Sequence, residues 1–368
     1  MQTTAAVARQ PKGDFTIETI HVEAPRAGEV MVRIAGVGLC HTDLVFRDQF
    51  APYPLPAVLG HEGAGIVEAV GEGVERLVVG DSVVLGFSSC GHCARCDEGL
   101  PSYCREFPPL NYAGMRLEDG SSAFRAGEES LSSHFFGQSS FAAHAIVRAR
   151  NVVKVDAGAD LLPLLGPLGC GFQTGAGGVM RSMACPAGSS IAIFGGGPVG
   201  LAAVMGAVIR QCATIIMVEP LAARRQLANE LGATHVIDPA DGDVPAAIRA
   251  ILPDGVEFAF DSSGRVGVIE GALASLASHG MLGLVGVPPT ADAALSVNLA
   301  SLVTYGHRIV GIIEGDSDPQ MFIPELIGHH KAGRFPFDRL VRTYPLAEIN
   351  TAIADQASGA CVKVVLIP

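Results

Sequence analysis

Three constellations in this chain have residue types and spacings that suit chemistry. The first is Cys90, Cys93, Cys96 and Cys104, a C-x2-C-x2-C-x7-C run inside a polar, glycine-punctuated stretch. Four thiolates at these separations can close a tetrahedron around Zn²⁺, a shell with no open position whose role is to pin a loop. The second is dispersed: Cys40 in Gly38-Leu-Cys-His-Thr-Asp43, His61 in Gly60-His-Glu62, and Cys170 in Gly169-Cys-Gly171. Two thiolates and an imidazole make a three-ligand shell with a fourth position for water or substrate, the arrangement of a catalytic rather than a structural zinc. Asp43 is the expected acceptor for the second ring nitrogen of His61, fixing its tautomer. Glu62, beside that histidine, either adjusts the metal's field or pairs with a nearby base. His92, within the cysteine run, is expected to be solvated.

The third constellation is Gly195-Gly-Gly-Pro198-Val199-Gly200, a G-x-G-x-x-G motif. The apolar run 190–194 precedes it, and Leu201, Val204, Met205, Val208 and Ile209 follow at helical spacing. In that strand–turn–helix context Gly195 allows the turn, Gly197 lets the backbone approach a pyrophosphate, and Gly200 permits close helix packing. The helix N-terminus adds partial positive charge. Glu219 ends the next expected strand, where a carboxylate binds ribose hydroxyls and repels a 2′-phosphate. NAD is therefore favoured over NADP, a preference that the neighbouring Arg224 and Arg225 temper.

These residues need two kinds of scaffold. Up to about residue 155 the chain reads as short strands broken by glycine and proline, for example 30–35, 65–70 and 82–85. From about residue 172, strand-like runs at 190–194, 214–218, 235–237, 258–261 and 281–285 alternate with helical stretches, the pattern of βαβ units on a parallel sheet. The tail returns to short elements and ends in the apolar run 362–367. The expected architecture is α/β, with a β-rich domain of 1–171 completed by 315–368 around a nucleotide-binding domain of 172–314. No internal repeat is visible.

Composition narrows the partners. The 368 residues are 49% apolar and 17% charged, which excludes intrinsic disorder, and 37 acids against 25 bases leave a net charge of -12 that repels nucleic acid and anionic membranes. Residues 161–180 and 191–209 carry no charge, yet their glycines and prolines read as buried core rather than membrane spans. Nine cysteines and an N-terminus without a secretory pattern point to thiolate chemistry in the cytoplasm. Cys185, Cys212 and Cys361 lie outside both clusters and are read as structural, and His329-His330 as a solvated face.

The stretch 60–74, G-H-E-x2-G-x5-G-x2-V, together with the cysteine loop and the dinucleotide motif, resembles the zinc-containing medium-chain alcohol dehydrogenases over essentially the whole chain. Cys40-His-Thr-Asp43, Gly166-Pro-Leu-Gly-Cys-Gly171, Phe136-Gly-Gln-Ser-Ser-Phe141 and the tail at Gly315-Asp-Ser-Asp-Pro319 are similar to the aryl-alcohol (benzyl alcohol) branch and its allylic relative, geraniol dehydrogenase. The resemblance implies a GroES-like catalytic domain, a doubly wound Rossmann cofactor domain, two zincs per chain, NAD, and a dimer or tetramer. It implies that Thr42 supplies a hydroxyl beside the alcohol and that Thr174 packs on the nicotinamide. It places His41 and Lys363 on the pyrophosphate, Arg224 on the adenosine ribose, and Val287 and Ile313 near the nicotinamide. Phe87 and Leu110 become candidate pocket walls. One position departs from the liver-type pattern: Val45 stands where a proton-relay histidine is found. The implied reaction is reversible oxidation of a primary aryl or allylic alcohol. Aliphatic alcohols or the formaldehyde–glutathione adduct remain open as substrates, and a non-catalytic zinc- and nucleotide-binding redox sensor remains open as another class of protein.

Overall fold

The computed structural model describes residues 1–368. The chain divides into two compact units, one of Met1–Cys170 with Asp318–Glu325 and Asp338–Pro368, the other of Gly171–Ser317 with Leu326–Phe337.

The first unit is β-rich. One five-stranded sheet runs in the order Ala57–Val58, Gln2–Ala8, Phe15–Val22, Phe124–Ala126, Glu129–Leu131. The other orders Val152–Lys154, Ser82–Leu85, Gly63–Val70, Glu29–Gly38, Lys363–Ile367 and Val341–Pro345, with His144–Arg148 also paired to Glu29–Gly38. The C-terminal strand therefore lies antiparallel to Glu29–Gly38, matching Val365 with Gly38. That pairing brings Lys363 beneath the loop that starts at Leu39. The strand Glu29–Gly38 carries two register shifts against Gly63–Val70. Such bulges re-aim the end of a strand, here the end from which Cys40 departs.

The second unit holds a six-stranded parallel sheet in the order His235–Ile237, Thr214–Val218, Ser190–Phe194, Val256–Asp261, Leu276–Leu284, Arg308–Gly311. Ser190–Phe194 is buried at every position, as expected of a central strand covered on both faces. On one side Phe194, Ile216, Val218, Ala259 and Leu282 pack with Ile248 and Ala272 of two helices. Each large side chain buried in such a core contributes about 1.5–3 kcal/mol. The helix Pro198–Ile209 starts immediately after the glycine turn, with proline in its first turn, where a missing N–H costs nothing.

The chain's return to the first unit is interrupted, contrary to the single block expected for 315–368. The helix Pro319–Lys331 belongs to the first unit at its start and to the second from Leu326 onward. The physical reason is apolar: Phe337 packs on Phe172 with ring centroids 5.6 Å apart, and Phe335 and Leu326 are fully buried. The uncharged stretch after Leu161 folds as short 3₁₀ turns and the helix Gly171–Gly177. No helix is long and apolar enough to cross a membrane.

Candidate active site

The donor atoms of Cys40, His61, Glu62 and Cys170 lie within 4.8 Å of one another, although the sequence separates them by up to 130 positions. Cys40 immediately precedes the helix His41–Arg47. Asp43, wholly buried, binds three groups at the start of that helix. Its Oδ2 accepts from the Cys40 amide at 2.9 Å, and its Oδ1 accepts from the Gly60 amide at 3.1 Å and contacts His61 Nδ1 at 2.8 Å. With Nδ1 facing the carboxylate, Nε2 is the ring atom left for a ligand. That Nε2 is buried and has no hydrogen-bond partner. A buried polar atom left so is rare and calls for a ligand, so these residues fit a metal ion.

Electrostatics at the cluster favour positive charge among the donors. The contact from Cys170, with help from His61, holds the Cys40 thiol well below its ordinary value despite burial. Burial works against a charged His61, and the Asp43 carboxylate overrides it, drawing the imidazole's pKa well upward. Burial pushes the Glu62 carboxyl up while Lys363 opposes it.

Glu62 is fully buried, and Lys363 Nζ lies 2.5 Å from its Oε2 while donating to the Leu39 carbonyl at 2.9 Å. The structure thus answers the question left open for Glu62: it pairs with a base. The same contact corrects the expectation for Lys363. Only 2% of its side chain is exposed, so it braces the metal-site loop and is not presented to a pyrophosphate. Gly38 makes room for the pair, since a Cβ there would fall 1.8 Å from Glu62 Oε2.

Aromatic rings back the site. Phe136 stacks on His61 at 4.4 Å with planes 22° apart, and Phe135 meets the imidazole edge-on at 5.5 Å. Tyr112, Phe107, Phe46 and Tyr53 continue the cluster. The turn presenting these rings has His134, Phe136 and Ser139 at positive φ, a conformation costing about 1–3 kcal/mol for each non-glycine residue. Gln138 offsets this strain by bonding the His61 carbonyl and the Gly63 amide. Sequence reasoning missed Phe135, Tyr112 and Tyr53, since a lone aromatic is indistinguishable from core. Leu110 is buried beside Phe107, whereas Phe87 lines a cavity of about 550 Å³ together with the charged Arg76, Arg150 and Asp318.

The four-cysteine loop closes as expected. Sulfur separations are 3.9 Å for Cys90–Cys96, 3.7 Å for Cys93–Cys96 and 4.0 Å for Cys93–Cys104. A tetrahedron with Zn–S of about 2.3 Å has edges of about 3.8 Å, so the group has the size of a zinc shell. Backbone amides already point at the sulfurs, Cys90 N to Cys104 and Gly91 N to Cys96. Amides of Arg105 and Cys96 lower Cys93 to about 6, while burial lifts Cys104 to about 12. The His92 side chain is 74% exposed and its Nδ1 contacts the Cys90 carbonyl.

In the second unit, Gly195 has φ +99, and a Cβ on Gly200 would fall 1.8 Å from the Gly195 carbonyl. A Cβ on Gly197 would meet nothing within 4 Å, which leaves open space above the N-terminus of the helix Pro198–Ile209, whose second residue is Val199. Glu219 is 4% exposed, its oxygens accepting from Gly196 N at 2.5 Å and Leu221 N at 2.8 Å. Arg225 is committed to the Glu219 and Pro220 carbonyls and to Asp238. Arg224 Nε is a buried donor without a partner. These groups fit a dinucleotide. Thr174 and Ile313 are half-buried and Val287 is 43% exposed, all in this unit, while Thr42 is half-buried and His41 exposed in the first.

A β-rich unit bearing two cysteine-containing groups that could each hold a metal, together with a parallel-sheet unit carrying a dinucleotide turn, defines a zinc-type dehydrogenase. The chain matches the alcohol dehydrogenase GroES-like domain over residues 26–157 and the zinc-binding dehydrogenase domain over residues 198–328. A geraniol dehydrogenase of Castellaniella defragrans is 49% identical over 365 residues, covering 99% of this chain and 97% of that one. Among solved structures, an alcohol dehydrogenase zinc-binding domain protein from Burkholderia ambifaria is 51% identical with a TM-score of 0.97, and benzyl alcohol dehydrogenase from Acinetobacter calcoaceticus is 41% identical with a TM-score of 0.95. Each alignment covers 100% of this chain and 99% of the other. The chain belongs to the zinc-type medium-chain alcohol dehydrogenase family, and it is an enzyme of that family.

Proposed function

We propose that the protein oxidises a primary aryl or allylic alcohol to the aldehyde, reversibly, with NAD as hydride acceptor and two zincs per chain. The observation that carries this is the Cys40, His61 and Cys170 cluster, in which a buried His61 Nε2 lacks a partner while Asp43 holds Nδ1. When bound, zinc supplies a Lewis acid that lowers the pKa of a hydroxyl, and the nicotinamide supplies an acceptor for hydride.

The chain's own residues do the rest. Cys40, His61 and Cys170 hold the catalytic metal, and Cys90, Cys93, Cys96 and Cys104 hold the structural one. Asp43 keeps the His61 ring in one tautomer, and the Glu62–Lys363 pair balances charge beneath it. The Thr42 hydroxyl would relay the alcohol proton toward solvent, giving up its own proton as it accepts the new one, because Val45, one helical turn on, offers no imidazole. Glu219 accepts the ribose hydroxyls with lone pairs its two amide contacts leave free. Arg225 is tied to Asp238, which leaves it no fork for a 2′-phosphate and supports NAD over NADP. Pro198, Val199 and the three glycines would hold the pyrophosphate at the helix N-terminus, with Arg224 adding positive charge, and His41, exposed in the first unit, offers a ring N–H to the cofactor. Thr174, Val287 and Ile313 contact the nicotinamide.

The aryl or allylic preference rests on the ring cluster around His61 and on the similarity to geraniol and benzyl alcohol dehydrogenases. Conjugation stabilises such aldehydes, and an aromatic wall binds them by area. The thiolate clusters support a reducing, cytoplasmic setting. Leu299 and Val303, 72% and 80% exposed one helical turn apart, support a homo-oligomer, dimer or tetramer.

Initial rates of NADH formation test the reading, with benzyl, cinnamyl, geranyl and short aliphatic alcohols compared at one pH. A strong aromatic or allylic preference in kcat/KM is expected. Equal or faster aliphatic turnover discards the substrate class, and a metal-replete enzyme without turnover on any alcohol discards the reaction.

A further inference from the structure

Two of the three cysteines outside the metal clusters meet. Cys185 precedes the central strand Ser190–Phe194, and Cys212 follows the helix Pro198–Ile209, yet the turns that carry them lie side by side, with Arg210 and Ser189 bonded to both neighbourhoods and each thiol shifting the other's titration. The backbone around them is zipped. Gly188 N donates to the Gln211 carbonyl at 2.8 Å, Ala213 N to the Ser189 carbonyl at 2.8 Å, and Arg210 Nε to the Cys185 carbonyl at 2.7 Å. Each cysteine also follows a non-glycine residue in the left-handed region, Ala184 at φ +46 and Gln211 at φ +60. Two strained turns held together by three bonds, each presenting a cysteine to the other, make a fixed pair rather than a chance approach.

Their environments differ as an attacking and a resolving thiol require. Cys185 is fully buried, while Cys212 is partly exposed with Ser189 Oγ 3.5 Å from its sulfur. The neighbouring Cys185 thiol, with the Ser189 contact and the Arg210 charge, lowers Cys212 to about 7 against burial and Glu257, and Cys212 in turn raises Cys185. A thiol near ambient pH is the best attacker in disulfide exchange.

We propose that Cys185 and Cys212 form a redox-active dithiol, a modification site whose co-reactant is a small-molecule disulfide of the glutathione class. The Cys212 thiolate attacks one sulfur of the disulfide, whose S–S bond breaks and releases one small thiolate. Cys185 then gives its proton to that thiolate, and its sulfur attacks Cys212 Sγ, expelling the second small thiolate, which takes a proton from solvent. The two protein thiols lose two electrons and two protons, and the small disulfide gains them as two thiols. The product ties the entry of the central strand to the end of the helix that follows the glycine turn.

The test exposes zinc-replete holoenzyme to oxidised glutathione and maps its peptides by mass spectrometry without reduction. Expected is a Cys185–Cys212 linked peptide two hydrogens lighter than the sum of its parts. Cys185→Ser should stop at a glutathione adduct on Cys212, and Cys212→Ser should leave Cys185 unmodified. Dithiothreitol should restore both thiols. Absence of the linked peptide, a link of either residue to another cysteine instead, or an unmodified Cys212 in Cys185→Ser overturns the proposal. Because the readout is a peptide mass, it stands apart from whether the enzyme turns over any alcohol.

Discussion

The Lys363→Met substitution separates two roles for one residue. At 2.5 Å the Lys363–Glu62 attraction amounts to about 7 kcal/mol at an effective dielectric of ~20. Most of that only offsets removing two ions from water. Deleting the ammonium leaves a carboxylate that is fully buried beside the Cys40 thiolate. Its cheapest response is to take up a proton, which costs about 4 kcal/mol at pH 7 relative to an unfolded-state value of ~4.3. That agrees with the ~3–5 kcal/mol for breaking a buried pair, and in a unit of this size it lowers Tm by roughly 10 °C. The assay is thermal unfolding of zinc-replete enzyme at pH 7, with zinc content and the KM for NAD measured on the same samples. The expected result is a lower Tm with zinc lost more readily, and recovery of most of the loss in Lys363→Met/Glu62→Leu, because a buried ion pair replaced by apolar side chains is close to neutral. A variant that unfolds within about 2 °C of the parent and shows only a raised KM for NAD would refute the bracing role and return Lys363 to the pyrophosphate.

Three further outcomes follow from named contacts. Glu219→Ala should lower kcat/KM with NAD by about 10–100-fold, the equivalent of ~1.5–3 kcal/mol for hydrogen bonds to a charged group, while sparing NADP; an equal loss with both cofactors contradicts the ribose contact. Val45 lies one helical turn after Thr42 in His41–Arg47, so Val45→His should shift the pH–rate profile of hydride transfer, and profiles that overlay the parent's dismiss a relay through this position. Glu29 accepts two bonds from the buried Arg116 guanidinium, and these with His134 hold its carboxyl well below its ordinary value near 4.5 against the effect of burial. A depressed carboxyl stabilises the fold above the unfolded value and loses that contribution as pH falls. Glu29→Gln should therefore be less stable than the parent by about 3–5 kcal/mol at neutral pH, with the gap narrowing below pH ~4.5 in denaturant titrations; a constant gap rules out this linkage.

Local chemistry was legible wherever one segment carries it. The four cysteines at 90–104 fall within a single loop, and the glycines at 195–200 sit between a strand and a helix, so spacing alone specifies the tetrahedral group and the dinucleotide turn. Period-2 and period-3.6 patterns likewise separated the β-rich part from the parallel sheet, because they record which face of an element meets the core. The tail was less legible: 326–337 joins the second unit through Leu326, Phe335 and Phe337, and apolar residues do not say which of two cores they enter.

What the sequence determined by itself was the inventory: the donor types, the turn that approaches a pyrophosphate, and a carboxylate at the end of the next strand. What only the tertiary structure decided was pairing across long separations. Lys363 meets Glu62 because the last strand aligns beside Glu29–Gly38, and Cys185 meets Cys212 because two turns are zipped across the start of the parallel sheet. Phe136 lies on His61 because a turn of left-handed residues aims it there. Such contacts depend on strand order and on backbone angles, which a hydrophobic period does not encode, and burial then sets their energies by deciding which charges and thiols lose their water.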